Sequence, residues 1–171
     1  MRRAMNQLHQ VKTSFPVPFN ETFRLDALRQ LEILDSPPQY RFDRITKLGA
    51  SLFNTPMCAI SLVDADRQFF LSHHGFEGSD TAREHAFCNY VVADQSPLIV
   101  RDATLDDRFD DNPMVVGNFQ LRFYAGVPVT DSEGHAFGSF CILDRETRET
   151  GLTEAQIEAL EDLAANGMDE M

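Results

Sequence analysis

The sequence has no tryptophan and only three tyrosines, against fourteen phenylalanines, in 171 residues. Aromatic side chains without a polar handle serve a core better than a recognition surface. Basic residues are scarce: fifteen Lys and Arg stand against twenty-seven Asp and Glu, a formal net charge of −12. No run of five Lys or Arg occurs. Phosphate backbones and anionic lipid heads repel such a chain, which excludes general nucleic-acid binding and membrane-surface binding. No stretch approaches the ~18 consecutive apolar residues of a spanning helix. After Met1-Arg2-Arg3, the residues Gln7, His9, Gln10 and Lys12 interrupt the apolar segment that a secretory signal needs. Three cysteines, Cys58, Cys88 and Cys141, lie far apart with no CxxC spacing. That usage predicts reduced, buried thiols in a cytoplasmic protein. A glycine-rich phosphate loop, metal-ligand spacing and a nucleophile–base–orienter set are also missing, so the residues predict neither catalysis nor a metal site.

The length fits one domain, and a hydrophobic fraction of 43% with 25% charged residues is ordinary for a folded one. Residues 1–19 lack a clean period and contain Pro16 and Pro18, which reads as a tail or linker. The spacing of Leu25, Leu28, Leu31 and Leu34 predicts an amphipathic helix opened by Asn20 as N-cap and stopped by Pro37-Pro38. A second helix is predicted over Tyr40 to Phe53, with Phe42, Ile45, Leu48 and Leu52 as its buried face. The run Met57 to Val63 is apolar throughout and reads as an interior strand. Asp64-Ala65-Asp66 turns it into a return strand, Arg67 to His73. Gly75 to Thr81 reads as a loop, Glu84 to Val92 as a short helix and Leu98 to Val100 as a short strand. Asn112-Pro113 predicts a capped helical turn reaching Val116. Leu121 to Val129 and His135 to Leu143 form a second hairpin around Asp131-Ser132-Glu133-Gly134. Thr153-Glu154-Ala155-Gln156 fits a capping box before a last helix carrying Ile157, Leu160, Leu163 and Ala164. Hairpins alternating with helices predict an α+β fold with an antiparallel sheet.

Several of these segments, in this order, resemble the GAF domain family and its bacterial signalling branch. They are Arg24-Leu25 with Ile33-Leu34-Asp35; Ile60-Ser61-Leu62-Val63-Asp64 with Asp66-Arg67-Gln68; Phe87-Cys88; Asp102-Ala103, Asp106, Arg108-Phe109 and Asn112-Pro113; Arg122 to Pro128; and Gly138 to Asp144. The resemblance covers about residues 20–166 and sets the domain at 20–168. It implies a GAF/PAS-like central antiparallel sheet of about five or six strands flanked by helices, with the N- and C-terminal helices packed together. It also implies a sensory or regulatory role in signal transduction, through an unidentified small molecule, through dimerisation, or both. Family members sit upstream of outputs such as histidine kinases and diguanylate cyclases. The length leaves no room for one here, so the expectation is a non-enzymatic sensor, either stand-alone or an isolated fragment, acting on such a partner.

The candidate pocket residues are Phe70, Phe87, Tyr90, Arg108, Phe109, Asn112, Tyr124 and Cys141, aromatic walls with a few polar groups. The candidate homodimer seam is Leu25, Leu28 and Leu31 with Ile157, Leu160 and Leu163. Two alternatives stand beside the sensor: a cysteine-based enzyme similar to free methionine-(R)-sulfoxide reductase, and a ligand-free structural dimerisation module. The spacing of the cysteines does not match the reductase branch, and their apolar neighbours favour structural thiols. Bilin attachment needs a Cys followed by His, whereas Asn89 follows Cys88. Haem would rest on His73, His74, His85 or His135 alone, a weak signal. The Asn-Lys-Phe-Asp constellation of cyclic-nucleotide binders is missing, and a phosphate would face the acidic loop unless Arg108 or Arg122 points inward. That loop, with Asp102, Asp106, Asp107, Asp110 and Asp111, lacks the calcium-loop pattern. Its acids read as turn caps, with Asp102 or Asp106 paired to Arg101 or Arg108.

Overall fold

Residues 14–171 are described, from a computed structural model. The elements follow as α1 (Glu21–Gln30), α2 (Tyr40–Phe53), β1 (Met57–Val63), β2 (Arg67–His74), β3 (Asp80–Ala82), α3 (Phe87–Asp94), β4 (Leu98–Val100), α4 (Pro113–Val116), β5 (Phe123–Thr130), β6 (Ala136–Asp144) and α5 (Glu154–Asp169). Six strands form one sheet in the order β3-β2-β1-β6-β5-β4, with every neighbouring pair antiparallel. The fold is therefore α+β, as the alternation of hairpins and helices predicts.

Strand pleating sends alternate residues to opposite faces. Cys58, Ile60 and Leu62 of β1, Phe123, Ala125 and Val127 of β5, and Phe140 and Ile142 of β6 bury one face together with side chains of α1, α2 and α5. Met57, Ala59 and Val63, Tyr124, Cys141 and Leu143 bury the other face under α3, α4 and their loops. A strand covered on both sides needs no polar alternation, which is why β1 reads as an unbroken apolar run.

Helix α2 has the predicted limits but a different buried face. Phe42, Thr46, Gly49, Ala50 and Phe53 are buried. Leu48 and Leu52 are instead 55% and 59% exposed. Small residues explain the rotation. A Cβ on Gly49 would lie 2.8 Å from Cys58 Sγ and 2.9 Å from Cζ of Phe140, so the helix rests on the sheet along Gly49 and its larger leucines turn outward. Thr46 is satisfied in the core by a 2.9 Å hydrogen bond with the Ser72 hydroxyl.

Helix α1 ends at Gln30, well before Pro37. Glu32 and Asp35 take left-handed backbone angles, φ 53° and 60°, which reverse the chain and bring Ile33 into the core. Asn20 occupies the N-cap without a side-chain cap; its Oδ1 accepts a hydrogen bond from Gln95 Nε2 instead. The Gly75–Thr81 loop ends in the edge strand β3, too short and exposed to carry a period. Helices α1 and α5 cover the same face of the sheet, α5 on β5 with α2 and β6 beside it, and α1 on β6, and their side chains share one core. Leu28 and Leu160 are buried in the domain's own core, and Leu163 lies at its edge, lining a surface cleft with Arg41, Arg44 and Leu48. Leu25, Leu31 and Ile157 are half-buried.

Two local devices are as predicted. Asn112 caps α4 by accepting from Met114 N at 2.9 Å. Thr153 Oγ1 accepts from Gln156 N at 3.2 Å, while Gln156 Oε1 accepts from Thr153 N at 2.9 Å, a closed capping box. Thr153→Ala is expected to lower the unfolding free energy by about 1 kcal/mol, read from the urea midpoint at unchanged m-value. A shift under about 0.3 kcal/mol would show that the cap adds nothing to α5.

Candidate functional site

Gly126 of β5 lies opposite Cys141 of β6, and Ser61 of β1 lies opposite Ser139 of β6. These registers put several polar side chains on the sheet face beneath α3. Helix α3 adds Cys88 from above. Cys88 Sγ lies 3.1 Å from Ser61 Oγ, 3.1 Å from the Tyr124 hydroxyl and 3.9 Å from Cys141 Sγ. The Tyr124 hydroxyl in turn lies 3.0 Å from Ser139 Oγ. Every member of this cluster is buried.

Burial opposes ionisation of Cys88, but hydrogen bonds from Cys141, Ser61 and Tyr124 outweigh it and bring the thiol down to about 7. Cys141 moves the other way: its hydrogen bond with Cys88 and its own burial push it up. The pair thus gives up a first proton readily and a second with difficulty. Burial, together with the adjacent sulfurs, also raises the Tyr124 phenol, so it remains a hydrogen-bond donor.

Above the cluster sits a small cavity lined by Ser61, Gln68, Phe70, Phe76, Cys88 and Tyr124, closed by Phe87, Met114, Phe119, Leu121, Cys141 and Leu143. Its volume is about 20 Å³, room for roughly one water molecule. Gln68 Nε2 donates to Thr81 Oγ1 at 3.0 Å, while Gln68 Oε1, also buried, has no partner among the described residues. Phe70, Phe76, Met114 and Phe119 separate this cavity from a surface cleft of about 280 Å³ that reaches His85 and Asp80.

Four of the eight predicted pocket residues, Phe70, Phe87, Tyr124 and Cys141, line the cavity. The others stand behind or outside it. Phe109 stacks on the far side of Phe87, with ring centroids 3.8 Å apart. Tyr90 meets Phe109 edge-on at 5.1 Å. Arg108 is exposed and holds Asp106 through two hydrogen bonds, 2.9 and 2.7 Å, instead of pointing inward. Asn112 caps α4 and donates to His85 O. Ser61, Gln68, Phe76, Cys88, Met114 and Phe119 were not among the candidates. Ser61 and Gln68 could have been flagged as polar residues inside buried strands, which need a reason to be there.

The acidic loop behaves as turn caps: Asp102 Oδ1 accepts from Thr104 N and its hydroxyl, and Asp106 pairs with Arg108. Asp131, Glu133 and His135 bring ligand-type atoms within 4.8 Å of one another. There Asp131 accepts from the amides of Glu133 and His135 and closes the β5–β6 turn.

A second buried polar group borders the site. Glu21 of α1 bridges Arg24 and Arg83, whose side chains are 0% and 1% exposed. Arg24 donates to Val63 O, and Arg83 donates to Asp64 O and Ala65 O. Arg83 Nε also donates to Asn89 Oδ1, and Asn89 Nδ2 donates to Pro16 O. Asn89 is the residue after Cys88, so α3 is tied on one side to the sulfur cluster and on the other to the segment that leads into α1.

Residues 37–167, which carry the sheet, α2 to α5 and the cavity, match the model of the GAF domain. The chain belongs to the GAF domain family. The GAF domain of an Acinetobacter phosphoenolpyruvate-protein phosphotransferase is similar in fold, with a TM-score of 0.60 at 18% identity, over 86% of this chain and 91% of that one. The free methionine-R-sulfoxide reductase of Neisseria meningitidis is similar to the same degree, with a TM-score of 0.60 at 14% identity, over 91% of this chain and 92% of that one.

A curated relative in Pseudomonas aeruginosa, named a cyclic di-GMP phosphodiesterase, is 39% identical over 149 residues, 87% of this chain. The chain spans a quarter of that protein's length. This relative, an enzyme by name, overturns the expectation of a non-enzymatic protein. Among the described residues no helix is long and apolar enough to cross a membrane.

Proposed function

We propose that this GAF domain is the sensing unit of a signalling protein of the cyclic di-GMP phosphodiesterase class. A small molecule would enter between α3, α4 and the sheet, and its binding would bias an output of that class. The observation that carries this reading is the unpaired acceptor of Gln68, buried at the wall of a largely apolar cavity whose gate is aromatic. A buried polar atom without a partner costs about 1–3 kcal/mol, so a donor-bearing molecule that reaches it has that much to gain. The cavity holds no more than a water molecule in the present conformation, so occupation requires Phe70, Phe76, Met114 or Phe119 to move. The ligand then favours the open packing by its differential affinity. The Cys88–Asn89–Arg83–Glu21 chain of contacts is a route by which that change reaches α1.

Native mass spectrometry of the protein purified from its own host tests the reading. The expected spectrum shows a small-molecule adduct, one per chain, that disappears on denaturation. A bare-chain mass under gentle ionisation would overturn it in favour of a ligand-free structural module.

A further inference from the structure

Cys88 and Cys141 are 3% and 2% exposed, and both line the one-water cavity. Their sulfurs are 3.9 Å apart with no side chain between them. Ser61 Oγ and the Tyr124 hydroxyl, each 3.1 Å from Cys88 Sγ, can donate to a thiolate there. The third cysteine, Cys58, lies on the opposite face of the sheet, packed in the core against Gly49 of α2, where burial pushes its thiol up. We propose that Cys88 and Cys141 are a dithiol modification site, oxidised to a disulfide by a hydroperoxide small enough to enter the adjoining cavity.

Hydrogen peroxide has one heavy atom more than water, so a small movement of Phe70, Phe76, Met114 or Phe119 admits it to this cavity, and bulkier oxidants need a larger one. In the first step the Cys88 thiolate attacks one peroxide oxygen. The O–O bond breaks, the leaving hydroxide takes a proton to become water, and Cys88 becomes a sulfenic acid. In the second step the Cys141 sulfur attacks Cys88 Sγ. The S–O bond breaks, and the hydroxide leaves as water with the Cys141 proton. Two thiols lose two electrons, one peroxide gains them, and two waters result. The sulfurs must close from 3.9 Å to a bond of about 2.05 Å. Closure draws α3 onto β6 and removes Cys88 from its contacts with Ser61 and Tyr124. Asn89 follows, and with it the hydrogen bonds to Arg83 and Pro16. The site thus offers an oxidative input to α1 that needs no retained ligand, independent of the binding reading above.

The test is hydrogen peroxide treatment of the folded chain, followed by acid quench, alkylation and peptide mass mapping. A peptide pair crosslinked through Cys88 and Cys141 is expected, with both thiols lost about tenfold faster than that of Cys58. Cys58→Ser should leave the crosslink in place, and Cys141→Ser should leave an added oxygen on the Cys88 peptide. Loss of all three thiols at one rate would mean that oxidation follows unfolding and would overturn the proposal. So would an absence of crosslink after treatment that converts Met171 to its sulfoxide. Neither failure bears on the mass-spectrometric search for a bound molecule.

Discussion

Glu21→Ala is expected to lower the unfolding free energy by about 3 kcal/mol, the low end of what removing one partner from a buried ion pair costs. The reason is the number of charges one carboxylate serves. Arg24 and Arg83 are both fully covered, and Glu21 is hydrogen-bonded to each of them, while Asp64 adds a weaker, longer-range attraction to Arg24. Their other partners are backbone carbonyls and an amide, which accept hydrogen bonds without cancelling charge. With Glu21 gone, two guanidinium groups are left in a poorly solvated place, and neither can deprotonate to escape it. Urea titration at neutral pH measures the loss. A change below about 0.5 kcal/mol would mean that water already screens the pair.

The same residue sets a pH dependence. Burial raises the Glu21 carboxyl, but hydrogen bonds and charge from Arg24 and Arg83 outweigh it and hold the group below its usual value. A depressed folded-state value means that the stabilisation is fully present above the unfolded carboxyl's ordinary value, about 4.3. It is lost as pH falls further, through the folded-state value. The wild type should therefore lose more stability than Glu21→Gln between about pH 5 and pH 3. Parallel stability profiles for the two proteins would refute the assignment.

How much of this was readable beforehand depends on the range of the signal. Local chemistry was legible: the Asn112-Pro113 and Thr153–Gln156 caps lie within four residues of what they cap, and both sit where expected. The strands were legible because β1 and β6 are covered on both faces and so run apolar. The face of α2 was not. Periodicity locates a stripe of large residues, but here the sheet contacts Gly49 and Ala50 and leaves Leu48 and Leu52 outside. A hydropathy pattern cannot anticipate a helix that packs by its smallest residues. The candidate pocket was half legible for a related reason. Phe87 and Tyr124 face the cavity, whereas Phe109 and Tyr90 form the layer behind Phe87, and aromatic content alone does not rank layers. The sulfur cluster was legible only as three separate buried thiols. Cys88 and Cys141 meet because α3 crosses β6, a contact between positions 53 residues apart in sequence. Their local contexts hold no trace of it.

Gly126→Ala is expected to be as costly as the loss of Glu21, by a different mechanism, and it reads the site directly. A Cβ at this position would collide with the Tyr124 hydroxyl and come within 2.5 Å of Ser139 Oγ. Both oxygens are buried and bonded to each other, so neither can swing into solvent. Overpacking of this kind costs about 1–3 kcal/mol. Displacing the hydroxyl from Ser139 and from Cys88 strands buried polar groups, which adds about 1–2 kcal/mol. A total near 3 kcal/mol follows, at an unchanged m-value. The cause can be isolated with Tyr124→Phe, which removes the oxygen that the new methyl strikes. On its own that change costs a buried hydrogen bond; combined with Gly126→Ala it should restore about 1 kcal/mol or more relative to the sum of the singles. Strict additivity in this double-mutant cycle would place the damage elsewhere in β5. The reverse sign would mean that the Tyr124 hydroxyl tolerates the methyl, and that the hydrogen-bonded layer beneath the cavity is looser than its distances require.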